Sequence, residues 1–168
     1  MKTLSTLALL TAATAAQAYT LDVNVGHSRL DNYDNSSVVG LGIGTHLNNE
    51  YHLGLDFARK NITSATAFVD AKATSATLDL TYNLSQGNGI RPFIGAGIGG
   101  VHFSGASIDT KNAFASKLFV GIAFPVTPNV ELSVSAQNSK FYSVQELAGG
   151  PKTTVTSWDA IAALRFNF

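Results

Sequence analysis

Cysteine is absent from the 168-residue chain. That excludes disulfides, thiolate metal sites and a cysteine nucleophile, and with them a lipid anchor on an N-terminal cysteine. Charge is scarce: Asp, Glu, Lys and Arg make up 13% of residues, about half the share of a soluble domain. Neither sign dominates, with 11 basic and 11 acidic side chains, so the basic patch of a nucleic-acid binder is missing. Beyond the first residues there is no run of about 18 apolar residues that could form a transmembrane helix. A helical period is missing too. The length allows one domain with a core of its own.

What is present begins with "MKTLSTLALLTAATAAQA". Lys2 gives a positive start, Leu4 to Ala16 an apolar stretch, and Ala16-Gln17-Ala18 a small-x-small cleavage site. Residues 1–18 therefore read as a signal peptide, and 19–168 as the exported domain. Losing Lys2 lowers the basic count from 11 to 10 against 11 acids, a net charge of about −1.

After Tyr19 the apolar residues recur every second position. Leu21, Val23 and Val25 alternate with Asp22, Asn24 and Gly26; Val39, Leu41 and Ile43 with glycines; Leu78, Leu80 and Tyr82 with Asp79 and Thr81. Eight such runs predict an all-β chain of eight strands. Short connections at 48–50, 85–91 and 125–129 alternate with longer polar ones, "HSRLDNYDNSS", "RKNITSATAFVDAKAT", "GASIDTKNA" and "NSKFYSVQELAGGPKTT". That plan predicts an antiparallel up-and-down meander. In the fifth run Val101 and Phe103 fall on the opposite parity to Ile94, Ala96 and Ile98, which predicts a β-bulge at Gly99-Gly100.

A soluble up-and-down barrel points its apolar residues inward; a membrane barrel points them at lipid. Three features favour lipid. The polar face carries glycine, alanine, serine, threonine and histidine rather than the lysine and glutamate of a wetted surface. Small residues suit a narrow eight-stranded lumen. The runs are about 9–11 residues long, enough to cross a bilayer when tilted. Aromatics sit near run ends: Tyr19, Tyr51, Tyr82, Phe124, Phe166 and Phe168 at one end, Phe57 and Trp158 near the other.

The chain stops inside an apparent strand, "WDAIAALRFNF". A terminal phenylalanine on the lipid-facing parity resembles the last strand of Gram-negative outer-membrane barrels. "RPFIGAGIGGVHF" and "FASKLFVGIAFPVTPNVELSVSAQ" resemble the opacity-type, surface-antigen family of small outer-membrane barrels, loosely OmpA-like and often labelled porin-like. The resemblance implies a location in the outer membrane and contact with its lipid and lipopolysaccharide. It also implies insertion by the barrel assembly machinery reading Phe166 and Phe168, a monomer, and extracellular or host ligands met by the loops. No cell-wall-binding domain is expected to follow Phe168.

Candidate chemistry is sparse. His102 and Ser104, in "HFSGAS", resemble the His-x-Ser fragment of outer-membrane lipid A deacylases, where a glutamate on the next strand orients the histidine. Here that strand has no glutamate, and Gly105 stands where the family has asparagine. His46 and His52 flank the Asn48-Asn49-Glu50 turn and should face each other, but two imidazoles make an incomplete metal site. No metal or other cofactor is expected. Barrel closure would make the first and last strands neighbours, setting Arg165 between Asp22 and Glu131 in the lumen, as a buried guanidinium requires. The expected role is structural, surface-antigen or adhesive, without enzymatic activity and without a wide pore. The alternatives are a lipid A-modifying hydrolase using His102 and Ser104, or a small-solute channel.

Overall fold

The computed structural model describes residues 19–30, 36–64, 69–85, 89–104, 112–144 and 153–168. They form a closed antiparallel barrel of eight strands in sequential order. The strands are β1 (Tyr19–Leu30), β2 (Ser36–His46), β3 (Tyr51–Ser64), β4 (Val69–Asn83), β5 (Arg91–Ser104), β6 (Asn112–Thr127), β7 (Val130–Val144) and β8 (Thr153–Asn167). β8 closes on β1 from Thr20↔Asn167 to Leu30↔Ser157. The terminal strand is therefore paired on both sides, and the Phe168 N–H donates to the Tyr19 carbonyl at 3.0 Å. Residues 1–18, the expected signal peptide, lie outside the described residues.

Tight connections define one end, called here the turn end. Asn48 Oδ1 accepts from the N–H groups of Glu50 at 2.8 Å and Tyr51 at 2.7 Å, the side-chain mimicry that suits asparagine to turns. Only two residues separate β6 from β7. The opposite end is the loop end.

Two expectations need correction. The strands run to 11–16 residues rather than 9–11, because segments read as loops are sheet. Arg59 to Ser64 belong to β3, Asn112 and Ala113 to β6, and Asn138 to Val144 to β7. Second, Gly99-Gly100 carries no bulge: the registers with β4 and β6 run through it unbroken. The shifts fall at Pro125/Thr127 and Phe141/Val144 instead, the latter containing Ser143 at φ 61°.

Both corrections have one physical cause. Near the turn end the outward residues are apolar and exposed, among them Leu21, Val23, Leu41, Leu55, Leu80, Ile94, Val120 and Leu132. Toward the loop end most outward positions become polar: His27 and Arg29, Arg59 and Asn61, Thr74 and Lys72, His102 and Ser104, Asn138 and Lys140, with Trp158 and Tyr142 as aromatic exceptions. Across the same boundary the interior turns apolar. Ala73, Val101, Phe103, Ala115, Phe141, Val144 and Val155 form a buried cluster, with Phe103 and Phe141 edge-to-face at 5.8 Å. The barrel is thus apolar outside where lipid surrounds it and apolar inside where water does. Val101 and Phe103 changed parity because the solvent changed, not the register.

Candidate functional site

The lumen holds three tiers of charge, two within the apolar belt and the uppermost at its loop-side edge. Nearest the turn end, Arg165 forks onto Asp22, with Nε–Oδ1 at 2.7 Å and Nη2–Oδ2 at 3.0 Å. Its Nη1 lies 3.8 Å from Glu131 Oε1. The three residues singled out from the sequence are brought together, but the nearer partner of Glu131 is Arg91 Nη2, which sequence reasoning had placed in a loop. Arg91 opens β5 and points inward.

The middle tier was missed. Lys117 Nζ sits 2.7 Å from both Asp56 Oδ2 and Asp79 Oδ2, and Asn24 Nδ2 donates to Asp56 Oδ1 at 2.8 Å. Glycine makes the room: a Cβ on Gly97 would collide with Asp79 Oδ1 and lie 3.0 Å from Lys117 Cε. The upper tier was also missed. Lys60 Nζ donates to Asp159 Oδ2 at 2.6 Å and Ser157 Oγ at 2.9 Å, and Gln137 Nε2 donates to the same Asp159 oxygen at 3.0 Å. Ser157 in turn shares a 2.8 Å bond with Ser28. Lys60 Nζ lies 5.5 Å from the Phe141 ring centroid, which joins this tier to the apolar cluster above.

Between the tiers is a cavity of about 100 Å³, bordered by Asp22, His52, Asp56, Asp79, Lys117 and Arg165. A smaller one of about 20 Å³ lies between Lys117, Lys60 and Phe141. The larger has the polar groups and the volume that internal water needs. Val101, Phe103 and Val155 line neither cavity.

His46 and His52 are register partners across their turn, with ring centroids 5.0 Å apart. His52 Nε2 is bonded to Thr20 Oγ1 at 2.8 Å, and His46 Nε2 lies 3.4 Å from Asn167 Oδ1. Among the described residues no group of three or more His, Cys, Asp or Glu is arranged to hold a metal. His102 and Ser104 face outward and are exposed. The His102 Nδ1 meets Asn112 Oδ1 at 2.9 Å, an amide where a hydrolytic triad would set a carboxylate. Phe168 is 75% exposed at the turn end, beside Tyr19; at the same end Tyr51 and Tyr82 pack their rings outside the barrel at 5.0 Å.

A closed eight-stranded barrel with a lipid-facing belt and a charged, plugged lumen defines an integral outer-membrane barrel protein. The outer membrane protein beta-barrel domain family matches residues 3–166, and the chain belongs to it. Solved structures agree in fold. Neisserial surface protein A superposes with a TM-score of 0.75 at 18% identity, covering 90% of this chain and 99% of that one. The Yersinia pestis attachment invasion locus protein Ail, in complex with the heparin analogue sucrose octasulfate, gives 0.54 at 18% identity, covering 92% and 100%. The outer membrane enzyme PagL gives 0.56 at 18% identity, covering 86% and 97%. No curated protein matches the sequence. The protein resides in the outer membrane of a Gram-negative cell, with its apolar belt in lipid.

Proposed function

We propose that this barrel is a closed, surface-displayed anchor of structural, surface-antigen or adhesive type, rather than a pore or an enzyme. The observation that carries the reading is the inversion of the barrel at the edge of its apolar belt. Beyond that edge the sheet continues with mainly polar outward residues and an internally packed interior, which lifts the connections clear of the membrane on a rigid base. Rigid support of loops is what a binding surface requires. A surface protein and a heparin-analogue complex among the structural relatives agree with this role. Outer-membrane barrels keep short turns in the periplasm and longer connections outside, so the loop end faces the exterior.

The same proposal covers biogenesis and chemistry. Residues 1–18 act as a cleaved signal peptide, and Phe166 and Phe168 form the signal read by the assembly machinery. Lipopolysaccharide surrounds the outer half of a monomer, and loop ligands are extracellular or host molecules. PagL-like hydrolysis is disfavoured because His102 is oriented by Asn112, so Ser104→Ala should leave cellular lipid A acylation unchanged.

The chain has no cysteine, which makes labelling free of background. Ser64→Cys and Ser143→Cys, each labelled on intact cells with a membrane-impermeant biotin maleimide, should react. Asn129→Cys, at the turn end, should react only after the outer membrane is permeabilised. The reverse pattern would overturn the display model. Partners recovered on the biotin handle then identify what the loops bind.

A further inference from the structure

Beyond the belt, four cations stand on the outward face of the described strands. Among the described side chains of the strands, the fully charged residues facing outward are Arg29, Arg59, Lys72 and Lys140, while Asp22, Asp56, Asp79, Glu131 and Asp159 all turn into the lumen. Two of these cations lie together. The register runs Arg59↔Thr74, Thr74↔His102 and His102↔Asn112, and in the next row Asn61↔Lys72 and Lys72↔Ser104. Direct cross-strand neighbours have Cβ atoms about 4.5–5.5 Å apart and diagonal ones about 7–8 Å. Arg59 and Lys72 are therefore diagonal neighbours flanking Thr74, within reach of one anion that the Thr74 hydroxyl can also meet. The 2.9 Å bond to Asn112 fixes His102 on the far side of Thr74.

Below this cluster, toward the belt, runs the row Phe57↔Ala76, Ala76↔Gly100, Gly100↔Phe114. Phe57 and Phe114 are 50% and 54% exposed and stand as walls on either side of a notch floored by Ala76 and Gly100. The notch does not arise from packing need. A Cβ on Gly100 would meet nothing nearer than the Ala113 carbonyl at 3.8 Å, so a larger residue would fit without strain. Leu55, Leu78 and Ile98 continue the surface down into the belt.

We propose that this outer face of β3–β6 is a specific site for one phosphate-bearing lipid of the outer leaflet. Arg59, Lys72 and Thr74 hold the phosphate, and an acyl chain lies in the Ala76–Gly100 notch between the two phenylalanines. Guanidinium and ammonium groups suit a phosphate through charge-assisted hydrogen bonds, and the belt edge is the depth at which a headgroup joins its chains. The site is independent of what, if anything, the loops bind.

The test places purified, folded barrel in phosphatidylcholine nanodiscs doped with bisphosphorylated lipid A, and counts retained lipid by native mass spectrometry. Wild type should keep one lipid A. Arg59→Gln/Lys72→Gln should weaken retention at least about tenfold, the effect of losing charge-assisted bonds. Gly100→Leu should weaken it comparably with every charge intact, and Lys140→Gln, which removes a cation outside the site, should not. Heat-modifiable electrophoresis shows that each variant is folded. Equal retention of dephosphorylated lipid A would overturn the phosphate assignment, and an equal loss in Lys140→Gln would reduce the site to diffuse charge. Undiminished retention in Gly100→Leu, or complete displacement by millimolar inorganic phosphate, would remove the lipid chain from the site.

Discussion

At the scale of single residues, the lumen shows why a barrel this narrow tolerates so much charge. Each cation there meets an acid, and the cost of dehydrating both is offset only while the pair is intact. Lys117 is the sharpest case, at 7% side-chain exposure between two carboxylates. Lys117→Met should leave Asp56 and Asp79 facing each other uncompensated, and should destabilise the barrel by about 3–5 kcal/mol in urea titrations in bilayers. Lys117→Met/Asp56→Asn/Asp79→Asn should recover most of that loss, because no charge is left stranded. Arg165→Met should be milder, about 1.5–3 kcal/mol, because Glu131 keeps Arg91. A loss for Arg165→Met as large as that for Lys117→Met would show that the turn-end tier is as dry as the middle one. The Asp22–Arg165 pair was legible in the sequence because any closed meander makes its first and last strands neighbours. The Lys117 tier was not, although its parity was visible. Lys117 on β6 reaches Asp56 on β3 across the barrel, and contacts through the lumen have no counterpart in hairpin spacing.

At the scale of strands, alternation reports a difference between two faces, and it reverses when the environment does. That is why the eight strands and their pairing order could be read directly, whereas their loop-end halves read as loops. "RKNITS" and "NSKFYS" place mainly polar residues outward, Tyr142 excepted, so they look like connections until the inward Lys60 and Phe141 are seen packed in the interior. The belt and the extension should respond oppositely to charge. Leu80→Arg and Leu132→Arg place a cation near mid-belt and should each cost about 2–4 kcal/mol, measured by unfolding in bilayers. Thr74→Arg, outward on β4 beyond the belt edge, should cost well under 1 kcal/mol, as an exposed substitution does. A Thr74→Arg penalty matching that of Leu80→Arg would place the belt edge closer to the loops. The terminal strand obeys the same logic at its other end. Deleting Phe168 removes its backbone bond to Tyr19 and the last outward aromatic, so less protease-resistant barrel should reach the membrane. Wild-type levels would show that the assembly signal lies elsewhere.

At the scale of the whole molecule, the two kinds of lumen filling act as barriers in series. The two lower charged tiers occupy the membrane depth, where Lys117 bridges from β6 to β3 and β4, and the Lys60–Asp159 tier lies at the belt edge above them. The Phe103–Phe141 cluster fills the extension above it. An ion entering from the turn end can exchange water for carboxylates and amides as far as Lys117, and a cavity of about 100 Å³ is there to receive it. Past that point and the Lys60–Asp159 tier it would have to enter a region lined by Val101, Phe103, Phe141 and Val155, where an unpaired charge finds no partner. Opening either barrier alone therefore leaves the other closed. In planar bilayers wild type should show no discrete conductance steps, and neither should Lys117→Ala nor Phe103→Ala/Phe141→Ala. The triple variant should conduct. The aromatic truncations also remove core volume, so each preparation is first checked for heat-modifiable migration, which reports the closed sheet independently of the lumen. Steps in Lys117→Ala alone would mean that the apolar cluster is no barrier and that the charged tier is the gate. Steps in wild type would return the protein to the channel class and sever the link between a sealed interior and a display role.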